Sequence, residues 1–531
     1  MATRTVSPRD LKNLLHDGNE LALLDVREEG QFGEGHLLFA TPLPYSRLEP
    51  GIAALVPRKS ARIVLCDDCD GVAERGVKRL NAIGYTDVAM LAGGNPAWAA
   101  AGFAIFKGVN VPSKLFGELV EHVYDTPRIT VTELARMKQR NEDFVIVDGR
   151  PYAEYHKMNI PGGICCPNAE LPLRIRDIVK NPKTTIVVNC AGRTRSIMGA
   201  QTLLNFGIEN PVVALENGTQ GWALADFELE RGATRKYAEK IDATALPGLQ
   251  ASAQELLARF KVSTVTATQV ESWLADTNRS LYVLDVRTPE EFAAGSLPGA
   301  AHAPGGQLVQ ATDAWVGVRN ARIVLADSEG VRAPVVAAWL KQLGCDVYVL
   351  EGGVNSGLKL PAPANKTLAT LPTLPKISAD ELKQALANNT CSAFYLGPSM
   401  NYRKQHVPGS RWSIRSRIVK DAGNAKSVVL ITRDTEVAQA AALDLAEANI
   451  TNVKLLEGGL ATWTHAGYTL EASPGTPPDS DCIDYLFFVH DRHAGNREAM
   501  KQYLAWETGL IAQLDEQDKA SFKVGISALK K

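Results

Sequence analysis

Cys190-Ala-Gly-Arg-Thr-Arg-Ser196 gathers a thiol, a glycine, two arginines and two hydroxyls into one short stretch. The apolar run Ile186-Val-Val-Asn189 precedes it, and Ile197-Met-Gly-Ala-Gln-Thr-Leu-Leu204 follows. This pattern predicts a buried strand that delivers Cys190 to a tight loop opening a helix. The N–H groups of such a loop converge on one point, and the helix N-terminus adds roughly half a positive charge. A thiol there, beside Arg193 and Arg195, is expected to ionise below its ordinary pKa and to be thiolate at neutral pH. The segment reads as an anion cradle with a nucleophile at its floor. A thiolate so placed can attack an electrophile, and an anion formed on it rests on the same N–H groups. That chemistry calls for no general base, no metal and no cofactor.

Within the loop, Arg193 and Arg195 offer planar donor forks to sulfonate or sulfinate oxygens; the competing reading is that one of them tethers the loop to a nearby carboxylate. Ala191, Gly192, Thr194 and Ser196 complete the expected substrate-binding loop. Gly192 is expected to permit the turn that aims the amides inward, and Ser196 to cap the helix. Cys165-Cys166 admits two readings, buried strand cysteines or a thiol that relays sulfur from Cys190.

The scaffold that must position these residues is repeated. The strand-to-loop junction recurs at Asp67, Cys190, Asp327 and Thr432, and each is followed at the same distance by a leucine: Leu80, Leu203, Leu340 and Leu445. Upstream, Leu24-Asp-Val-Arg27, Val147-Asp-Gly-Arg150 and Leu284-Asp-Val-Arg287 match, with one separation from Asp25 to Asp67, Asp148 to Cys190 and Asp285 to Asp327. The fourth copy departs, carrying Tyr395 and Gly397 where the others have Asp and Arg. Each copy opens on a capping-box-like signal at Ser7, Thr130, Thr266 or Ser378. Each closes on a short strand and turn at Gly93-Gly94, Asn217-Gly218, Gly352-Gly353 or Gly458-Gly459. Trp98, Trp222 and Trp463 follow three of these turns. Helical and strand-like segments alternate at short spacing, which predicts a mostly parallel sheet with helices on both faces and a ligand at the strands' C-terminal ends.

Asp148 and Arg150 recur as a pair in copies that lack the cysteine, so they are expected to form an ion pair supporting the loop from behind. Asp67, Asp327 and Thr432 cannot form a persulfide, and their copies are expected to be scaffold, channel wall or docking surface.

The recurring order L-D-V-R, a Pro-Gly turn, V-V-x-C-x-x-G-x-R-S-like loop and L-x-G-G-x-x-x-W resembles the rhodanese family, over about four fifths of the chain. The four-fold repetition resembles the bacterial tetra-rhodanese type of thiosulfate sulfurtransferase. The resemblance implies an α/β fold of four tandem rhodanese-like domains at 1–108, 125–233, 262–361 and 374–473, with a C-terminal helical tail at 474–531. It implies a sulfurtransferase that moves sulfane sulfur from thiosulfate to cyanide or a thiol through a Cys190 persulfide, with a protein sulfur acceptor as a further partner class. Glu154 and Tyr155 stand where two-domain members of the family carry an additional substrate-binding arginine, which leaves room for a larger persulfide donor; the two loop arginines are expected to favour thiosulfate over 3-mercaptopyruvate, the donor kept for the sulfur-carrier alternative. A rhodanese-fold phosphatase is the alternative enzyme, but Cys190 to Arg195 is one residue shorter than the phosphatase C-x-x-x-x-x-R loop. An interaction scaffold is the non-catalytic alternative.

The whole chain agrees with this. Its 531 residues exceed one core, and 45% hydrophobic and 22% charged residues are ordinary for a globular protein. A net charge of −2 gives no electrostatic case for nucleic acid or an anionic membrane as partner. Eight irregularly spaced cysteines speak against a disulfide scaffold, and a cytoplasmic location is expected.

Overall fold

The computed structural model describes residues 3–361 and 371–525, so part of the proline-punctuated joint Leu360–Leu374 lies outside the described residues. In the cysteine-bearing copy the strands are β1 (Arg128–Ile129), β2 (Phe144–Asp148), β3 (Ile164–Cys165), β4 (Thr185–Asn189) and β5 (Val212–Leu215). They form one five-stranded sheet in the order β1-β5-β4-β2-β3, with every pairing parallel. The other three copies repeat this order, the divergent fourth included. β4 lies between β5 and β2 and is buried from Ile186 onward, as a central strand covered on both faces must be.

The repeated residues have repeated work. Leu80, Leu203, Leu340 and Leu445 are fully buried on the helix that follows the cradle position. The indole N–H of Trp98, Trp222 and Trp463 donates to the carbonyl of Ala104, Glu228 and Thr469, pinning the chain as it leaves each sheet. Helix starts follow the expected caps: Ser7, Thr130, Thr266 and Ser378 accept from the backbone N–H three residues on, and Ser378 with Glu381 completes a reciprocal box.

The copies assemble into two compact units. One contains the first and fourth copies with the chain as far as Phe487; there the buried Arg415 guanidinium is held by Glu49 and Asp444. The other contains the second and third copies and the C-terminal segment from Phe488. In it Arg332 reaches Glu170 at 3.0 Å, and Trp339 Nε1 donates to Thr202 Oγ1 at 2.8 Å. The joint after the first copy, too apolar for a free linker, is the helix Val111–Tyr124, and the joint after the second carries the helix Leu246–Phe260. The C-terminal segment forms the helix Arg497–Thr508, capped by Asn496. No helix among the described residues is long and apolar enough to cross a membrane.

Candidate active site

β4 ends at Asn189, and its side chain fixes where the loop begins. Asn189 Nδ2 donates to Asp148 Oδ2 at 3.0 Å. Asp148 in turn takes a two-point fork from Arg150, with Nε to Oδ1 at 2.8 Å and Nη2 to Oδ2 at 2.7 Å. Arg150 Nη2 also donates to the Met158 carbonyl. Both charges are fully buried. Burial opposes the Arg150 cation, but Asp148 more than compensates and holds its pKa above the ordinary arginine value.

The loop amides are aimed by a second element. The helix Gly218–Leu224 presents its first N–H groups to the loop: Thr219 N donates to Cys190 O at 2.9 Å and Gln220 N to Ala191 O at 3.1 Å. Gln220 Nε2 adds a bond to Ala191 O at 2.9 Å. Because trans peptides point C=O and N–H in opposite directions, drawing these carbonyls outward turns the Ala191 and Gly192 N–H groups inward. The N–H groups of Gly192, Arg193 and Arg195 have no acceptor among the described residues. Gly218 makes the approach possible: its φ is +50°, and a Cβ there would lie 2.2 Å from Cys190 O. Asn168 Nδ2 steadies the far side by donating to Arg195 O at 2.8 Å. Cys190 itself is 2% exposed.

Both arginine forks are filled. Arg193 bonds Glu118 at 2.8 and 2.9 Å and reaches Glu121 at 2.5 Å, all on the helix Val111–Tyr124. Arg195 makes a symmetric fork to Glu154 at 2.8 Å for each bond. Of the two readings of these guanidinium groups, facing an anionic substrate or tethering the loop to a carboxylate, the described contacts are of the tethering kind for both. The Arg195–Glu154 fork recurs as Arg332–Glu291 in the third copy, which has no cysteine. A contact kept there serves loop geometry.

Two finer expectations are corrected. Ser196 does not cap the helix, which begins at Thr194; its hydroxyl donates to Arg193 O and Leu215 O from within the first turn. Gly192 is not needed for an unusual turn, since its φ is not among the positive ones. What it provides is space: a Cβ would stand in tight contact, 3.2 Å from both Gln220 Nε2 and Glu507 Oε2.

Glu507 belongs to the C-terminal helix, and no spacing signal connected it to the loop. Its Oε1 accepts from Thr194 Oγ1 at 2.5 Å and Thr194 N at 3.4 Å, and pairs with Lys114 Nζ at 3.3 Å. Tyr503, one turn earlier, lies under both Lys114 and Arg492. Cys165 donates to Arg150 O, and burial pushes its thiol up to about 12. Burial pushes Cys166, part of the apolar core, well up too, so neither supplies a thiolate for relay at neutral pH.

The silent cradles fill themselves. In the third copy Asp327 Oδ1 accepts from Gly330 N at 3.0 Å, and Oδ2 from Val331, Arg332 and Ala333 N at 2.9, 2.7 and 3.1 Å. Asp67 accepts likewise from Cys69 N and Ala73 N, and Thr432 Oγ1 from Asp434 N. Asp327→Ala strands those amides and is expected to destabilise its unit by about 2–4 kcal/mol. Turnover at Cys190 should stay within a few-fold, as urea unfolding and steady-state rates on the same sample will show.

Against known proteins, the rhodanese-like domain family matches residues 7–101, 130–225 and 266–359. The chain belongs to the rhodanese family. The fourth copy lies outside those matches, but its sheet has the same strand order. The rhodanese chain is similar over almost its whole length to the crystal structure of a thiosulfate sulfurtransferase from Pseudomonas aeruginosa. The two are 40% identical, with a TM-score of 0.90 and coverage of 98% of this chain and 99% of that one. Among curated relatives, the probable adenylyltransferase/sulfurtransferase MoeZ of Mycobacterium tuberculosis is 31% identical over 96 residues, 18% of this chain. This chain spans only about a quarter of MoeZ's length, the match covering 24% of it.

Proposed function

We propose that this protein is a sulfurtransferase with one working site, at Cys190, and that thiosulfate is among its donors. The observation that carries the reading is the cradle itself. Of four equivalent strand-ends, Cys190 alone offers a thiol beneath loop N–H groups that lack an acceptor among the described residues, whereas Asp67, Asp327 and Thr432 each place an oxygen there that accepts from its own loop. The similarity to the Pseudomonas aeruginosa enzyme supports the donor class.

The Cys190 thiolate attacks the outer sulfur of thiosulfate. The new S–S bond forms as the donor's S–S bond breaks, and the electron pair leaves with sulfite. The persulfide anion carries its charge on the terminal sulfur, where the Gly192, Arg193 and Arg195 N–H groups can receive it. Cyanide then takes that sulfur as thiocyanate and returns the thiolate. Arg193 and Arg195, held by Glu118, Glu121 and Glu154, keep the loop in shape for both steps.

Mass spectrometry after incubation with thiosulfate tests this. One added sulfur on the Cys190 peptide, removed by cyanide, is the expected result; sulfur on another cysteine, or on none, overturns it. Hydrolysis of an aryl phosphate should be absent, because the loop is short and neither arginine has a free fork for a phosphoryl group. Robust phosphate release by the purified protein would reverse that reading.

A further inference from the structure

We propose that Glu507, on the C-terminal helix, is a specificity-determining residue that sets the charge of the Cys190 site and disfavours dianionic donors. The inference rests on the sulfurtransferase reading, but its physical content is a property of the cradle alone.

Glu507 is fully buried, and its Oε2 is without a hydrogen-bond partner among the described residues. That oxygen stands 3.2 Å from where a Gly192 Cβ would be, at the rim of the loop whose amides are free. Gly192 is two residues from Cys190, so the two Cα atoms are at most about 7 Å apart. The carboxylate is held in its charged form: burial opposes ionisation, but Lys114 and the Thr194 hydrogen bond outweigh it, leaving the pKa below the ordinary value. A fixed anion thus occupies the N-terminal end of the very helix that should attract one.

The surrounding charges make this decisive. Arg193 faces Glu118 and Glu121, and Arg195 faces Glu154. Arg128 shares Glu121 and pairs with Glu216, Arg150 pairs with Asp148, and Lys114 and Arg492 are left to Glu507. Among the described residues, six cations around the loop thus meet six carboxylates. Without Glu507 the cradle would be a net cationic site suited to a dianion; with it, attraction comes from backbone N–H groups alone. Such a site accepts an uncharged or singly charged persulfide without the penalty that a sulfonate dianion meets. Thiosulfate then remains a usable donor, held weakly.

The test is the alkylation of Cys190 by neutral iodoacetamide and anionic iodoacetate, followed on the Cys190 peptide. The ratio of the two rates cancels accessibility and reports charge at the thiol. In Glu507→Gln the ratio should shift toward iodoacetate on the order of tenfold, as expected for removing one charge within about 10 Å. KM for thiosulfate should fall in parallel. Cys165 and Cys166 serve as fold markers, staying unreactive while the unit is intact. Should Glu507→Gln strand Lys114 and unfold, the double variant Lys114→Met/Glu507→Gln removes both charges. Because the carboxylate touches the loop directly, the ratio there should still move toward iodoacetate. An unchanged ratio, or equal acceleration by both reagents, overturns the proposal and makes the helix a steric cover only. Loss of persulfide formation in the parent protein, with the ratio shifting as expected, would instead refute the sulfurtransferase reading and leave the charge assignment standing.

Discussion

Cys190→Ser is expected to lose thiocyanate formation by on the order of a thousandfold or more, as removal of a nucleophile does in other covalent enzymes. Serine fits the space of cysteine, and the groups that shape the loop bond its backbone: Thr219 to Cys190 O, Gln220 to Ala191 O. The fold should therefore be unchanged, with the same urea midpoint as the parent. What disappears is the sulfur nucleophile, the group able to form an S–S bond. Neither Cys165 nor Cys166 can substitute. Cys165 is raised to about 12 and Cys166 well above its ordinary value, both chiefly by burial. Steady-state rates with thiosulfate and cyanide, and the mass of the treated protein, give the answer together. A variant that kept most of its turnover would show that sulfur passes through another residue and would end the one-site account.

The sheet and the loop that holds Cys190 were legible because their signals are local and repeated. A central strand must be apolar on both faces, a loop that packs on a helix N-terminus must contain small residues, and three copies keep the same distance from strand aspartate to cradle. The tether of Arg195 was also within reach: Glu154 and Arg195 are separated by 41 residues, and so are Glu291 and Arg332 in the third copy. A conserved separation between opposite charges within one chain is the same kind of signal that identified Asp148 and Arg150.

Other contacts left no such trace. Arg193 meets Glu118 across 75 residues and Thr194 meets Glu507 across 313, in segments that belong to no repeat. The joint Val111–Tyr124 advertised burial through its apolar residues but not the destination of its charges. The pairing of the first copy with the fourth depends on Arg415, Glu49 and Asp444, single charges with no counterpart at the same register elsewhere. A buried ion pair constrains only two side chains, and sequence spacing records such a pair only when repetition exposes it.

The Asp148–Arg150 pair supplies the second large effect, on stability. Arg150→Met keeps the apolar stem but leaves Asp148 with only Asn189 Nδ2 and the residue-150 N–H as donors, in a site 1% exposed. Removing one partner of a buried pair strands the other, so the expected loss is about 3–5 kcal/mol, read by urea unfolding. The sign of its pH dependence follows. A stranded buried carboxylate has a folded pKa above its unfolded value, so the deficit relative to the parent is full above that folded pKa and should shrink as pH falls from there toward the unfolded carboxylate range. Asp148→Leu/Arg150→Met, which removes both charges, should recover most of the lost stability. At low temperature, where Arg150→Met remains folded, persulfide formation on Cys190 should continue within a few-fold, because Arg150 bonds Asp148 and the Met158 carbonyl and so acts behind the loop. The opposite pattern, unchanged stability with a large rise in KM for thiosulfate, would place Arg150 against the substrate and would require the cradle to open much further than the described structure does.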